Sequence, residues 1–274
     1  MEYLKEKDKD NIILKDSIRI IEEGNKNNIT LRLLGAIAVR IHTYEYEDLY
    51  IKLNRLGKEG ETLTDIDIIA YSKEASKVRK IMENVLGFQI PGYFLLMHGK
   101  DRLLYYHPKG LYHVDIFFDK LQFSHDIFFG SDPNKGRLKL DYPTIPLAEL
   151  LLEKLQIHEI NEKDIKDVIV LLRAHEIGCI DEKELINAKY LAKVLSDDWG
   201  FWYDVKINLE KIKKFAKDYH TNGLLKKEDL EDVNEKINKI IEFIDIEPKT
   251  KNWNKRAKIG TSKKWWRDVE DVVR

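Results

Sequence analysis

The sequence predicts an α+β fold in which a mixed sheet with helices fills the first half and helices alone fill the second. Three observations carry this expectation. Short β-branched runs such as "DIDIIAY" alternate with stretches of helical period up to about residue 120. Beyond Pro143 and Pro146 the strand-length runs stop and leucine-rich stretches of helical period take over. With 274 residues, 43% of them hydrophobic, the chain can bury two modest cores. The expected division is 1–142, a helical domain over 143–247, and a basic tail over 248–274.

Taken in order, "DNIILKDSIRIIEEG" spaces Ile13, Ile18 and Ile21 as one helix face and ends at Gly24, which predicts an opening helix. "NITLRLLG" reads as a strand up to Gly35, and "AIAVRIHTY" as the helix after it, so Gly35 is a strand-to-helix junction. Residues 45–63 read as a polar loop. "DIDIIAY" is a short strand, and "SKEASKVRKIMENVLG" a helix with Ser72 as N-cap and Gly87 as C-cap. "YFLLM", "DRLLYYH" and "LYHVDIFFD" follow as successive antiparallel strands divided by turn signals. In the second half, "LAELLLEKLQIHEI", "EKDIKDVIVLLRAHEIG" and "DEKELINAKYLAKVL" all read as helices, the last opened by a capping box of Asp181 and Glu184. Two more helices, about 204–221 and 225–246, meet at Asn222 and Gly223.

Forty-seven Lys and Arg nearly cancel 48 Asp and Glu, leaving a net charge of −1, so nucleic-acid binding by bulk charge is excluded and must come from a local patch. One cysteine, Cys179, excludes an internal disulfide framework and a cysteine-rich zinc site. The charged amino terminus and the lack of a long apolar stretch lead to the expectation of a cytoplasmic protein with no membrane partner.

The chemistry is concentrated in three short stretches. Side chains alternate faces along a strand, so Asp65 and Asp67 point the same way while Ile66 and Ile68 point into the core. Asp115, between Val114 and Ile116 in "HVDIFFD", has the same kind of apolar setting. Three carboxylates converging from neighbouring strands repel one another and lose solvation, a cost most simply met by a divalent cation. Oxygen-only ligands favour Mg2+ or Mn2+, and Mg2+ held this way completes its shell with water and substrate phosphates, which points to a nucleoside triphosphate. Gly35 adds a place where backbone N–H groups at a helix N-terminus can approach phosphate oxygens.

In that order, "LLGAIAVRIH", "TDIDIIAY" and "YHVDIFFD" resemble the signature of the polymerase-beta-like nucleotidyltransferase superfamily over about residues 10–145. The resemblance implies a mixed-sheet catalytic core, with Asp65 and Asp67 as ligands of both metal ions and Asp115 as ligand of one and activator of the acceptor. Gly35 and Ala36 then hold nucleotide phosphate through the backbone, Ala36 standing where the superfamily commonly has Gly or Ser. "EKLQIHEINEKDIKDVIVLL" is similar to motifs of the AbiEii-type toxin nucleotidyltransferases. Lys154 takes the lysine position, which binds phosphate, and Asp164 and Asp167 the acidic one, which supports catalysis; an antitoxin partner goes with that likeness. Read from the residues alone, Lys154 is equally a snorkelling lysine, and Asp164 and Asp167 a solvated helix edge.

The tail over 249–267, "KTKNWNKRAKIGTSKKWWR", carries eight Lys or Arg, three Trp and no acid, and follows a helix with eight acids and two bases over 228–247. Either it pairs with that helix, or its cations meet RNA phosphates while Trp253, Trp265 and Trp266 stack on bases, which makes a structured RNA such as tRNA the acceptor. Two rivals to nucleotidyl transfer are a non-catalytic module of the same fold that binds RNA or an antitoxin, and a carboxylate-metal hydrolase.

Overall fold

The computed structural model describes residues 2–55 and 63–269. In chain order the elements are α1 (Glu2–Lys26), β1 (Leu31–Leu33), α2 (Gly35–His42), α3 (Glu47–Lys52), β2 (Asp65–Ala70), α4 (Ala75–Lys80), α5 (Gly92–His98), β3 (Arg102–Tyr106), β4 (His113–Phe118), β5 (Lys120–Gln122) and β6 (Asp126–Phe128). The remainder is α6 (Leu147–Leu155), α7 (Glu162–Ala174), β7 (Glu176–Gly178), β8 (Leu185–Asn187), α8 (Ala188–Leu195), α9 (Trp199–Thr221), α10 (Lys227–Ile246) and α11 (Lys251–Ala257). The fold is mixed α/β with a helical C-terminal region. No helix among the described residues is long and apolar enough to cross a membrane.

The chain forms two compact units, one made of residues 1–41, 56–121 and 128–146, the other of 42–55, 122–127 and 147–274. The first unit is built on a four-stranded sheet in the order β1-β2-β4-β3. β2 and β4 are parallel, while β1 and β3 are antiparallel to their neighbours. Alternation decides which face is apolar: Ile66, Ile68, Val114, Ile116, Leu103 and Tyr105 are fully buried on the face that packs with Ile13, Ile20 and Ile21 of α1 and Val78 of α4. Fully burying each such aliphatic side chain is worth about 1.5–3 kcal/mol. Asp65, Asp67 and Asp115 therefore belong to the opposite face, as the alternation predicts.

The second unit is mainly helical. α6 and α7 bury Leu150, Leu151, Leu155, Ile165, Val168 and Leu172, and α9 and α10 add Phe201, Val205, Leu209, Ile237 and Ile240. α9 starts at Trp199, earlier than the spacing predicts, because the Asp198 carboxylate accepts from the Phe201 N–H and caps the helix.

Several expectations are corrected. α1 runs through Gly24 to Lys26. "YFLLM" lies in helix α5, not a strand: Pro91 and Gly92 open it, Gly99 ends it, and an apolar run this short fits either period. Residues 45–52 of the expected loop are helical, and residues 56–62 lie outside the described residues. Ser72 does not cap the following helix, which starts as a 3-10 turn over Ser72–Glu74 and becomes α4 at Ala75. The second half is not all helix. "HEIG" leaves α7 to form β7, and "LIN" forms β8 beside it, in parallel register with Glu176 opposite Leu185. Glu184 is no capping residue: it sits at φ +58, and Asn187 caps α8 instead, accepting from the Tyr190 N–H.

Candidate active site

The parallel register of β2 and β4 sets Asp65 opposite His113 and Asp67 opposite Asp115. Neighbouring strands lie about 4.8 Å apart, so the pairing alone brings Asp67 and Asp115 together on one face, with Asp65 two residues back on the same side. Asp65 and Asp67 are half-buried and Asp115 is 3% exposed. His113, beside Asp65, stands edge-on to Tyr106 at 4.5 Å between ring centres, which fits a packing role.

Gly35 begins α2 directly behind this pair. Its φ is +68, a left-handed conformation that side chains disfavour, and a Cβ there would stand 2.7 Å from Asp67 Oδ2. The turn is fixed from both sides: Leu34 N–H donates to the Asp67 carbonyl at 3.1 Å, Leu33 N–H to the Pro143 carbonyl at 3.0 Å, and Ile145 N–H to the Leu33 carbonyl at 2.9 Å. The first turn of α2 is thus held against the Asp67 carboxylate, and only a residue without a side chain lets the two approach. Ala36 is half-buried and packs toward the core, which leaves its backbone as the group it offers.

The structure adds a residue that sequence reasoning missed. Arg102 on β3 faces Phe117 across the sheet, and its Nε donates to Asp115 Oδ1, two positions away on the same face, at 2.8 Å. This charge-assisted bond offsets part of the repulsion that three carboxylates impose. Among the described residues, one oxygen from each of Asp65, Asp67 and Asp115 is not gathered within 4.8 Å of the other two. Oxygen-only donors on adjacent strands are of the type a hard divalent cation takes, and Asp115 already gives one oxygen to Arg102.

Lys154, Asp164 and Asp167 meet in the second unit, in a buried ion network. Lys154 Nζ lies 3.1 Å from Asp164 Oδ1 and 3.2 Å from Asp167 Oδ2. Asp167 is fully buried, not a solvated edge; it also accepts from Tyr50 Oη at 2.8 Å and from both arms of the Arg55 guanidinium. Burial alone would lower the Lys154 pKa, but Asp164 and Asp167 outweigh it and hold the ammonium above its ordinary value. Burial alone would raise that of Asp167, and Lys154 and Arg55 hold it below its ordinary value. Each charge has its complement, as a buried network requires. Asp164 also helps to close α7, since its N–H donates to the Asn161 side chain.

The basic tail docks on α9, not by charge on α10. Trp265 Nε1 donates to Asp204 at 2.9 Å, and the same carboxylate, 1% exposed, is held by His125 at 2.7 Å and His158 at 2.9 Å. Trp266 stacks on His158 at 3.6 Å, Trp253 stands edge-on to Trp202 at 5.1 Å, and Arg256 lies over Trp199 at 5.0 Å. Gly200 makes room: a Cβ there would meet the Trp265 carbonyl oxygen at 2.9 Å. The packing of Trp199 and Trp202 in "WGFWY" therefore extends to the tail. The rings that base stacking would need are engaged internally, and Lys251, Lys255, Lys258, Lys263, Lys264 and Arg267 are the tail's exposed cations.

No known protein family, curated protein or solved structure matches the chain.

Proposed function

We propose that the chain is a metal-dependent nucleotidyltransferase that moves a nucleoside monophosphate from a nucleoside triphosphate to an acceptor, with release of pyrophosphate. One observation supports this most: Gly35 opens α2 in left-handed conformation against the carboxylate of Asp67, which the β2–β4 register sets opposite Asp115. Phosphate-accepting backbone and hard-metal oxygens are the two halves of such a site, and they adjoin here.

Asp65, Asp67 and Asp115 are the residues that would hold Mg2+ or Mn2+, which supplies charge neutralisation of the phosphates and of the leaving pyrophosphate. Backbone N–H groups at Gly35 and Ala36 receive phosphate oxygens. A bond forms between the acceptor oxygen and the α-phosphorus while the bond from the α-phosphorus to the bridging oxygen breaks, its electron pair leaving with pyrophosphate. The acceptor's proton passes to Asp115 Oδ2, the oxygen across from the one that Arg102 holds. Lys154, paired twice with carboxylates, keeps the helical unit folded and is not assigned to phosphate.

A second reading is favoured by one specific contact. The Arg102–Asp115 bond suits a member of this fold that has exchanged metal for an internal cation and binds RNA or an antitoxin without turnover. The exposed tail lysines then meet phosphates without base stacking. Incubation with each of ATP, GTP, CTP and UTP, labelled at the α-phosphate, with Mg2+ and a cell extract as the source of acceptor, followed by assays of label transfer and of pyrophosphate, separates the readings. Transfer predicts pyrophosphate from wild type and none from Asp67→Asn. Monophosphate hydrolysis products point to a hydrolase, and the absence of any product points to the non-catalytic module.

A further inference from the structure

The strands β7 and β8 create a second constellation that is independent of the carboxylate face. Their parallel register pairs Glu176 with Leu185, and one step back along both strands stand His175 and Glu184. The ladder itself sets an imidazole beside a carboxylate. His42, the last residue of α2, completes the group from 142 positions away in sequence. Its Nδ1 lies 3.1 Å from Glu184 Oε2, and His175 Nδ1 lies 3.5 Å from the same oxygen. One ligand atom from each of the three falls within 4.8 Å of the other two.

We propose that His42, His175 and Glu184 form a binding site for a transition-metal cation, with Zn2+ as the ion whose chemistry they suit. Two imidazoles and one carboxylate are a nitrogen and oxygen set of the kind Zn2+ takes, and unlike the aspartate face they do not suit Mg2+. Bonds of about 2.0–2.1 Å at tetrahedral angles place neighbouring donors roughly 3.3–3.4 Å apart. The observed 3.1 and 3.5 Å from the two imidazoles to Glu184 bracket that edge, and the two imidazole donors lie within 4.8 Å of each other. Both imidazoles are buried, at 2% and 5% side-chain exposure, whereas Glu184 is 47% exposed. The fourth position therefore opens to water, and the site has a path by which an ion enters.

Two further observations concern these residues themselves. Glu184 is held at φ +58, a conformation that glutamate adopts rarely and that persists only where its surroundings enforce it. His175 Nε2 is buried with no hydrogen-bond partner, so hydrogen bonding on that side does not account for an imidazole here.

The experiment is a Co2+ titration of the full chain, read by visible absorption, with Zn2+ added in competition. The expected result is one Co2+ per chain with the intense band of a tetrahedral site, displaced by one equivalent of Zn2+ and accompanied by a rise in melting temperature. The band should persist in Asp67→Asn, which disables the carboxylate face. Affinity should fall by at least about tenfold in Glu184→Gln and in His42→Gln. Glu184 is exposed enough to change without unfolding the chain, which keeps the test decisive if the buried His42 variant misfolds. Weak octahedral-type absorption alone, unchanged affinity in Glu184→Gln, or loss of the band in Asp67→Asn would each overturn the assignment.

Discussion

Replacing Asp167 with Asn tests whether the Lys154 network is structural. The substitution keeps the shape of the side chain and removes one charge from a site with no solvent access. Lys154 then keeps Asp164 and the field of the buried Glu153, while Arg55 loses the carboxylate that two of its nitrogens bond. Removing one partner of a buried pair costs about 3–5 kcal/mol, and for a chain of this size that corresponds to a fall in Tm of roughly 6–20 °C. Lys154→Met should cost less, about 1.5–3 kcal/mol, since Asp167 keeps Arg55 and Tyr50 and Asp164 keeps Asn161. The sign with pH follows from the depressed Asp167 pKa. A carboxylate held below its ordinary value of 3.8 in the folded state contributes stability above that value and loses it as pH falls through the folded pKa. The gap between wild type and Asp167→Asn, measured by urea unfolding, should stay flat from neutral pH to about pH 5 and close below about pH 3.8. A gap under about 1 kcal/mol at neutral pH would refute the reasoning, as would a Lys154→Met variant of native stability that no longer binds triphosphate.

Asp65→Asn or Asp67→Asn should abolish pyrophosphate release while Tm holds or rises, because one charge leaves a repelling cluster; unchanged release would remove both from the site. Gly35→Ala should cost about 1–2 kcal/mol for its left-handed backbone and lower transfer far more than stability, since the new methyl displaces the Asp67 carboxylate; equal losses would make the glycine purely structural. Truncation before Pro248, or Trp265→Ala, should destabilise the helical unit by about 3–5 kcal/mol through lost ring packing and the loss of one of the three bonds to Asp204, read by thermal unfolding; native stability would return the tail to an RNA role.

The first unit was legible because its signals are local. Alternation in "DIDIIAY" fixes which side the aspartates take whatever the neighbours are, and a glycine between a β-branched run and a helix-forming one marks a junction. The parallel pairing of β2 and β4, on which the site depends, is set by long-range packing, and only the matched pattern of the two aspartate strands hinted at it. "YFLLM" was misread because five apolar residues satisfy either period; Pro91, which sits comfortably at a helix start, was the signal in favour of α5. "EIG" and "LIN" are each three-residue strands, too short for alternation to show, and "DEKE" imitates a capping box so well that Glu184 reads as part of a helix it never joins.

Cations explain the rest of what the sequence concealed. Arg55 and Arg102 stand in stretches with no motif, and each matters only because register or packing delivers it to a carboxylate far along the chain. A lysine in a leucine-rich helix shows the difficulty most clearly. Lys154 presents three N–H donors on a flexible stem, and carboxylate and phosphate oxygens satisfy them alike. Sequence thus limits Lys154 to meeting oxygens and leaves open whose oxygens they are. In the structure they are those of Asp164 and Asp167, and Asp167 completes its own shell with Arg55 and Tyr50. A phosphate arriving at Lys154 would have to displace carboxylates already neutralised in a buried setting, at the cost of leaving Asp167 short of a cation. Asp65 and Asp67 are half-buried, whereas Asp167 is fully buried; at Asp115 a divalent ion would have to share the carboxylate with Arg102. The two acidic groups of the chain differ in this respect: Lys154 and Arg55 complete the Asp164–Asp167 group, whereas the proposal of metal chemistry at Asp65, Asp67 and Asp115 rests on the register of β2 and β4.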